Sequence, residues 1–203
     1  NKRMSKLKIN NLSCQRGYNQ LFTDLSFELY AGEILRISGA NGSGKTSLLK
    51  MIAGLNSPES GSISFNENDI KTYQYQLDTF YLGHLPALSP ELSCFENLEY
   101  LTQLNNQESK SNLDGALSKV GLNNYKNELV GTLSAGQKRR VALSALFITH
   151  SKLWLLDEPF TALDSDGIEI IENQIKKHCN EDGLCILTTH QDCKIENLRE
   201  LSL

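Results

Sequence analysis

Apolar and polar residues alternate in the N-terminal part of the chain, which is the spacing of strands with one buried face. The alternation runs over residues 6–13 and again over 25–29, and a turn at 16–19 separates the two stretches. A short stretch at 61–65 has the same character. The pattern predicts an antiparallel N-terminal sheet that leads into a buried strand at 34–38.

Predominantly apolar runs predict a second set of strands. They occupy residues 34–38, 79–82, 153–156 and 185–189. Strands of parallel sheets have this composition because helices cover both of their faces. We therefore expect an α/β fold with a parallel sheet flanked by helices.

Helical spacing of apolar residues predicts the remaining elements. It occurs over 47–53, 138–147 and 165–178. Residues 93–122 change composition toward Asn, Gln, Ser and Leu, and they predict two or three amphipathic helices in a small separate lobe. The apolar positions of that lobe are Phe95, Leu98, Leu101, Leu104, Leu113, Ala116, Leu117 and Val120.

A glycine-rich loop stands between the strand at 34–38 and the helix at 47–53. Its residues are Gly39, Ala40, Asn41, Gly42, Ser43, Gly44, Lys45 and Thr46, followed by Ser47. Glycines let backbone N–H groups curl around a polyphosphate, and the helix start adds its positive end. Lys45 would reach the β- and γ-phosphates, and the Thr46 hydroxyl would hold Mg²⁺. A chance glycine-rich turn does not explain every fixed position.

Two further strand ends carry groups suited to phosphate chemistry. Asp157 and Glu158 follow the apolar run at 153–156, and His190 follows the run at 185–189. Open α/β sheets place their sites at the carboxyl ends of strands. The loop, the acid pair and His190 are therefore expected at one edge of the sheet.

Three other places carry less specific signals. Ser134 is a helix cap, and the N–H groups after it form a second anion site. The basic cluster 138–140 reads as a solvated helix face. Arg16 and Tyr18 are either adenine contacts or ordinary turn residues.

Composition limits the classes of protein to which the chain can belong. The chain of 203 residues is 39% hydrophobic and suits one domain with a small inserted lobe. Its net charge of −4 argues against a general nucleic-acid binder. No apolar run approaches the roughly 18 residues that span a bilayer. Five cysteines without a Cys-x-x-Cys pair predict reduced thiols rather than a disulfide framework or a zinc site.

Taken together, these motifs resemble those of the ATP-binding-cassette (ABC) ATPases over nearly the whole chain. Residues 39–46 match the Walker A loop, and 153–157 match Walker B. Residues 133–137 match the family signature, with Ala135 where glycine is commoner. Residues 160–164 match the D-loop, and His190 matches the switch histidine.

The resemblance implies a fold and a division of the chain. The fold would be the ABC ATPase core of P-loop NTPases, with an N-terminal antiparallel β subdomain. Residues 1–203 would form a single nucleotide-binding domain, and a helical lobe at about 84–145 would be inserted in its RecA-like core.

Finer features look like one subfamily, the CcmA-like ATP-binding subunits of the haem exporter of cytochrome c maturation. The stretches that carry this likeness are 81–84, 133–143, 155–162 and 187–191. His84 stands where most cassettes have glutamine, and Arg16 falls near the usual adenine-stacking aromatic.

The resemblance also implies roles for individual residues in binding and hydrolysing ATP with Mg²⁺. Glu158 would be the general base, with Lys45 and His190 on the γ-phosphate. The metal ion would be bound by Thr46, Asp157 and His84. Two copies would pair head to tail, each ATP lying between one phosphate loop and the other copy's signature. The contacts from the signature, the D-loop and the adenine side would be Ser134, Gly136, Gln137, Asp164 and Arg16.

Integral-membrane subunits of the exporter are the expected partners, beside a second copy of the chain. The subunit would sit peripherally on the cytoplasmic face of the bacterial inner membrane and touch the membrane only through them. A groove near residues 84–95, including Leu88 and Phe95, would receive a partner helix. The work would be haem export or release of a haem-loaded chaperone. Alternatives are another small-cargo exporter and a soluble ABC regulator of translation or DNA repair, although the latter carries tandem cassettes or long insertions.

Overall fold

An antiparallel sheet forms the N-terminal part of the computed structural model, which describes residues 5–103, 112–191 and 193–203. Its strands are β1 (Lys6–Arg16), β2 (Asn19–Tyr30), β4 (Ser60–Phe65) and β5 (Asn68–Asp69), in the order β2-β1-β4-β5. The predicted antiparallel sheet is confirmed. Its first two strands are longer than the alternation indicated, because register shifts interrupt the period within β1.

A second sheet of five strands carries the buried apolar runs. Its strands are β3 (Ile34–Ser38), β6 (Thr79–Leu82), β7 (Leu153–Asp157), β8 (Leu184–Thr188) and β9 (Arg199–Ser202), in the order β6-β7-β8-β3-β9. The pairings of β7 with β8, β8 with β3 and β3 with β9 are parallel. Every residue of β7 and β8 is buried, as expected for strands covered on both faces.

Six α-helices are described. They are α1 (Lys45–Ile52), α2 (Tyr73–Asp78), α3 (Cys94–Gln103), α4 (Leu113–Lys119), α5 (Ala135–Ser144) and α6 (Ser165–Asn180). Of the helical positions predicted for the lobe, Leu104 lies outside the described residues. The helix α5 begins three residues before the predicted start, because the cap at Ser134 nucleates it earlier than the apolar pattern does.

The described residues fall into two compact units. The first comprises the described parts of Asn1–Tyr81, Ser151–Glu158 and Lys176–Leu203, and the second comprises those of Leu82–His150 and Pro159–Ile175. The first unit contains the antiparallel sheet and most of the parallel sheet. The second contains α3, α4 and α5. A single nucleotide-binding domain with a lobe at about 84–145 stays a prediction.

The basic cluster at 138–140 is not a solvated helix face, and that prediction is wrong for two of its residues. Arg139 is only 3% exposed. Arg140 pairs with Asp164, with 2.5 Å between Nη2 and Oδ1. Both guanidinium groups are therefore used inside the second unit.

Among the described helices, none combines the length and the apolar composition that crossing a membrane requires.

His178 is half-buried in the first unit, where its ring stacks on a buried tryptophan. Its ring is parallel to that of Trp154, with centroids 3.7 Å apart. Its Nε2 atom lies 3.2 Å from the carbonyl oxygen of Lys152 and 3.3 Å from that of Leu184. Burial is the main cause that lowers the pKa of His178 from 6.5 to about 4, which keeps the ring neutral at pH 7.

We expect the free energy of unfolding to fall as the pH falls from 6.5 toward 4. In this window the unfolded chain binds a proton at His178 and the folded chain does not, so protonation favours unfolding. The loss is about 2 kcal/mol at pH 5.0. Urea unfolding at pH 7.5 and at pH 5.0 measures it. The His178→Phe variant keeps a stacked ring without a titrating group, and an unchanged pH dependence in that variant would contradict the assignment.

Candidate nucleotide-binding site

The glycine loop between β3 and α1 has the backbone of a phosphate cradle. The φ angles of Gly39, Gly42 and Gly44 are 141°, 85° and 108°, and residues with a side chain rarely adopt such values. A Cβ atom at Gly39 would also lie 2.6 Å from the carbonyl oxygen of Leu203. The strand, loop and helix predicted for this stretch are confirmed in order and in position.

Lys45 and Ser43 supply polar groups that fit phosphate oxygens. The Lys45 ammonium donates to the carbonyl oxygens of Gly39 and Ala40, at 2.7 and 3.0 Å, and is thereby held over the loop. The Ser43 hydroxyl oxygen is buried without a hydrogen-bond partner among the described residues. A buried hydroxyl of this kind costs free energy unless a ligand satisfies it. The loop therefore suits a polyphosphate anion.

Asp157 ends β7 beside this loop and is 2% exposed. Its Oδ2 atom accepts a hydrogen bond of 2.8 Å from the Thr46 hydroxyl, and its Oδ1 atom accepts one of 2.7 Å from the Thr188 hydroxyl. A carboxylate and a hydroxyl in contact are a fitting pair of ligands for Mg²⁺, which prefers oxygen. Among the described residues, no group of three or more His, Cys, Asp or Glu is placed to hold a metal ion.

Glu158 and His190 meet at the adjacent strand ends. The His190 Nε2 atom lies 3.5 Å from Glu158 Oε1, and the His190 backbone N–H donates to Oε2 at 3.2 Å. Glu158 has a φ of 51°, a left-handed conformation that is uncommon outside glycine. The predicted convergence of the loop, the acid pair and His190 is therefore observed within the first unit.

Thr188 is a residue of this site that the sequence patterns did not single out. Its hydroxyl donates to Asp157 and accepts from the backbone N–H of Glu158 at 3.0 Å. It thereby fixes both acidic residues relative to β8. The available signal was a hydroxyl residue at the carboxyl end of a buried apolar strand.

An aromatic residue also lies against the loop. A Cβ atom at Gly44 would approach the ring of Phe22 to 3.1 Å, which places β2 beside the start of α1. Arg16 and Tyr18, for which the sequence leaves open an adenine contact or an ordinary turn, are both exposed at the hairpin that joins β1 to β2. Their contact with adenine stays a prediction.

The predicted signature residues lie in the second unit and are described there by themselves. The Ser134 hydroxyl accepts a hydrogen bond of 3.2 Å from the backbone N–H of Gln137. In return, the Gln137 side-chain oxygen accepts one of 2.9 Å from the backbone N–H of Ser134. This capping box fixes the start of α5. Gly136 must be glycine, because a Cβ atom there would lie 2.7 Å from the carbonyl oxygen of Ala162.

Two other predicted residues belong to the same unit. The backbone N–H of Gly167 and the Arg140 guanidinium lower the pKa of Asp164, the former being the larger cause. The side chain of His84 is exposed, and its carbonyl oxygen accepts from Arg139. A metal-binding role of His84 stays a prediction.

The class of protein follows from the first unit. A glycine loop around a buried lysine, with a hydroxyl and a strand-end aspartate in contact, defines a P-loop nucleoside-triphosphatase.

Comparisons with known proteins refine the class. Residues 22–161 match the family model described as "ABC transporter". The chain belongs to the ABC transporter family, and it is an ATPase of the ABC type.

Several relatives carry the name "Cytochrome c biogenesis ATP-binding export protein CcmA". The chain is 40% identical to the one from Histophilus somni, over 97% of this chain and 92% of the relative. It is 41% identical to the one from Mannheimia succiniciproducens, over 98% and 94%.

Solved structures have the same fold. A putative ABC transporter ATP-binding protein from Pyrococcus furiosus gives a TM-score of 0.85 at 25% identity, over 98% of this chain and 97% of that one. The ATP-binding cassette MJ0796, solved as a dimer with ADP and Pi, gives 0.80 at 24% identity, over 91% and 88%. At that identity the second likeness concerns the fold alone.

Proposed function

We propose that this chain is the ATP-hydrolysing subunit of an ABC transporter complex that acts in c-type cytochrome biogenesis. The observation that carries the proposal is the identity of about 40% to cytochrome c biogenesis ATP-binding export proteins over nearly the full length of both chains. The energy of hydrolysis would drive haem export or the release of a haem-loaded chaperone.

Four residues of the first unit would hold ATP and Mg²⁺. Lys45 would turn its ammonium from the loop carbonyls to the β- and γ-phosphates, and the Ser43 hydroxyl would donate to a phosphate oxygen. Thr46 and Asp157 would hold the metal, which when bound neutralises charge on the phosphates. The remaining predicted residues of the loop would contribute through their backbone N–H groups; they are Gly39, Ala40, Asn41, Gly42, Gly44 and Ser47.

Glu158 would act as the general base. Its carboxylate would accept a proton from the attacking water, and the contacts from His190 would hold it in place. Thr188 would keep Glu158 and Asp157 in register, since one hydroxyl contacts both residues. In this mechanism Glu158 would accept the proton, and His190 and Thr188 would position it.

A second copy of the chain would complete each site. Ser134, Gly136 and Gln137 at the start of α5 would present N–H groups to the γ-phosphate bound by the other copy, and Asp164 would link the two sites.

Integral-membrane subunits would bind the second unit at residues 84–95, and the protein would lie peripherally at the cytoplasmic face of the inner membrane. Apolar side chains at this surface support the proposal, since Leu85 is 82% exposed and Leu88 and Phe95 are partly exposed.

Replacing Leu88 or Phe95 by Asp should reduce copurification with the membrane subunits about tenfold, because a buried carboxylate would be introduced into the contact. Leu55→Asp is the matched control, since Leu55 is 60% exposed in the first unit. Undiminished association of both variants would reject this surface.

Complementation tests the biological role. The chain would replace the corresponding ATP-binding protein in a bacterium that lacks it, and haem covalently bound to c-type cytochromes would be measured in its membranes. Restored cytochrome c supports the proposal. Failure of the well-expressed chain together with its own membrane subunits, with ATP hydrolysis intact, would instead assign the ATPase to another exporter.

A further inference from the structure

Arg139 is a buried cation on α5, two residues after Gln137 of the capping box. A buried guanidinium costs free energy unless acceptors satisfy its N–H groups. Nη1 donates to the carbonyl oxygens of Gly83 and His84, at 2.9 and 3.1 Å, and Nε donates to that of Pro159 at 3.4 Å. A single side chain therefore joins two segments that are distant in sequence.

Both segments adjoin residues of the proposed reaction. Gly83 and His84 form one of them, and His84 is the predicted metal-side residue. Pro159 directly follows Glu158 in the chain. The carbonyl groups that Arg139 binds therefore belong to His84 itself, to the residue before it and to the residue bonded to Glu158.

Other contacts fix α5 to the segment that starts at Pro159. Gly136 packs so closely on the carbonyl oxygen of Ala162 that a Cβ atom would come within 2.7 Å of it. The Arg140 guanidinium binds the Asp164 carboxylate at 2.5 Å. Segment 159–164 thus contacts α5 at Pro159, Ala162 and Asp164. Through Arg139, α5 also binds the backbone of residues 83–84.

We propose that Arg139 is a positioning residue for ATP hydrolysis, joining the Gly83–His84 backbone and the Pro159 segment to α5 so that all three move together. The inference rests on the proposed function. Arginine suits this task because its planar fork reaches several acceptors in fixed directions, whereas lysine offers a point charge.

Hydrogen exchange of the full-length chain without nucleotide tests the physical link. In Arg139→Met, the backbone amides of residues 83–85, 87–88 and 160–164 should exchange about tenfold faster, since local opening becomes easier. Lys138→Met, which removes the neighbouring cation of the same helix, should leave both segments as in the wild type. Wild-type exchange at 83–88 in Arg139→Met would overturn the proposal, and so would equal acceleration in the control.

Kinetics separates positioning from a merely structural role. The turnover number per folded molecule should fall about 10²-fold in Arg139→Met while the Kd for ATP stays within about twofold, and Arg139→Lys should be intermediate. A lower melting temperature with unchanged turnover per folded molecule would overturn the proposal. If Arg139→Met does not fold, Arg139→Lys is held to the same criteria.

A Glu158→Gln sample measured alongside keeps the two hypotheses apart. Hydrolysis at the wild-type rate in that sample would remove Glu158 from the proposed function. The exchange result would still decide whether Arg139 links the two segments.

Discussion

The Glu158→Gln variant should bind ATP as tightly as the wild type and hydrolyse it about 10³-fold more slowly. Glutamine keeps the shape of the side chain and can still accept from the His190 backbone N–H, but it cannot take a proton from water. ATP should therefore persist at the site, and the variant should accumulate as a dimer. Steady-state phosphate release, ATP titration calorimetry and light scattering measure the three effects.

A matched control is Glu181→Gln, which removes a carboxylate that is exposed and pairs only loosely with Lys177, 4.0 Å away. Its turnover should equal that of the wild type. Wild-type hydrolysis by Glu158→Gln would exclude Glu158 as the base. Loss of ATP binding in the same variant would instead assign Glu158 to the binding of the nucleotide.

Lys45→Ala should weaken ATP binding at least about 100-fold, because charge-assisted contacts with two phosphates are lost. The ammonium already lies over the loop, held by the Gly39 and Ala40 carbonyls, so the wild type needs only a short side-chain movement to reach a ligand. Calorimetric titration with ATP and Mg²⁺ measures the change.

Lys50→Ala is the control on the same helix, since Lys50 lies in the last turn of α1. Its ATP affinity should remain that of the wild type. Thermal unfolding of both variants shows whether the fold is kept. Wild-type affinity in a folded Lys45→Ala variant would contradict the assignment of the phosphate loop.

Much of the site could be predicted from the sequence because its residues occupy fixed places beside strongly patterned elements. The loop follows a buried strand and opens a helix, and Asp157 and Glu158 follow an apolar run. Parallel pairing of β7 with β8 and of β8 with β3 then brings the strand ends together. Local patterns sufficed here because the parallel topology of an α/β sheet places the carboxyl ends of its strands at one edge.

Other features depend on tertiary contacts that no spacing reveals. The sequence around Arg139 indicates an exposed basic cluster. The Arg139 side chain is nevertheless buried, and it donates hydrogen bonds to backbone carbonyl oxygens of two segments that are distant in sequence. Strand β9 is too polar to predict and exists because it pairs with β3. Thr188 looked like the end of a strand, and only the register of β8 against β7 shows that it contacts Asp157.

The stacked pair of Trp154 and His178 gives the protein an intrinsic optical reporter. Trp154 is the single tryptophan of the chain and lies three residues before Asp157 on the same strand. An imidazolium quenches indole emission more strongly than a neutral imidazole does. The emission of Trp154 should therefore fall as His178 is protonated near pH 4, and no attached dye is needed to follow it.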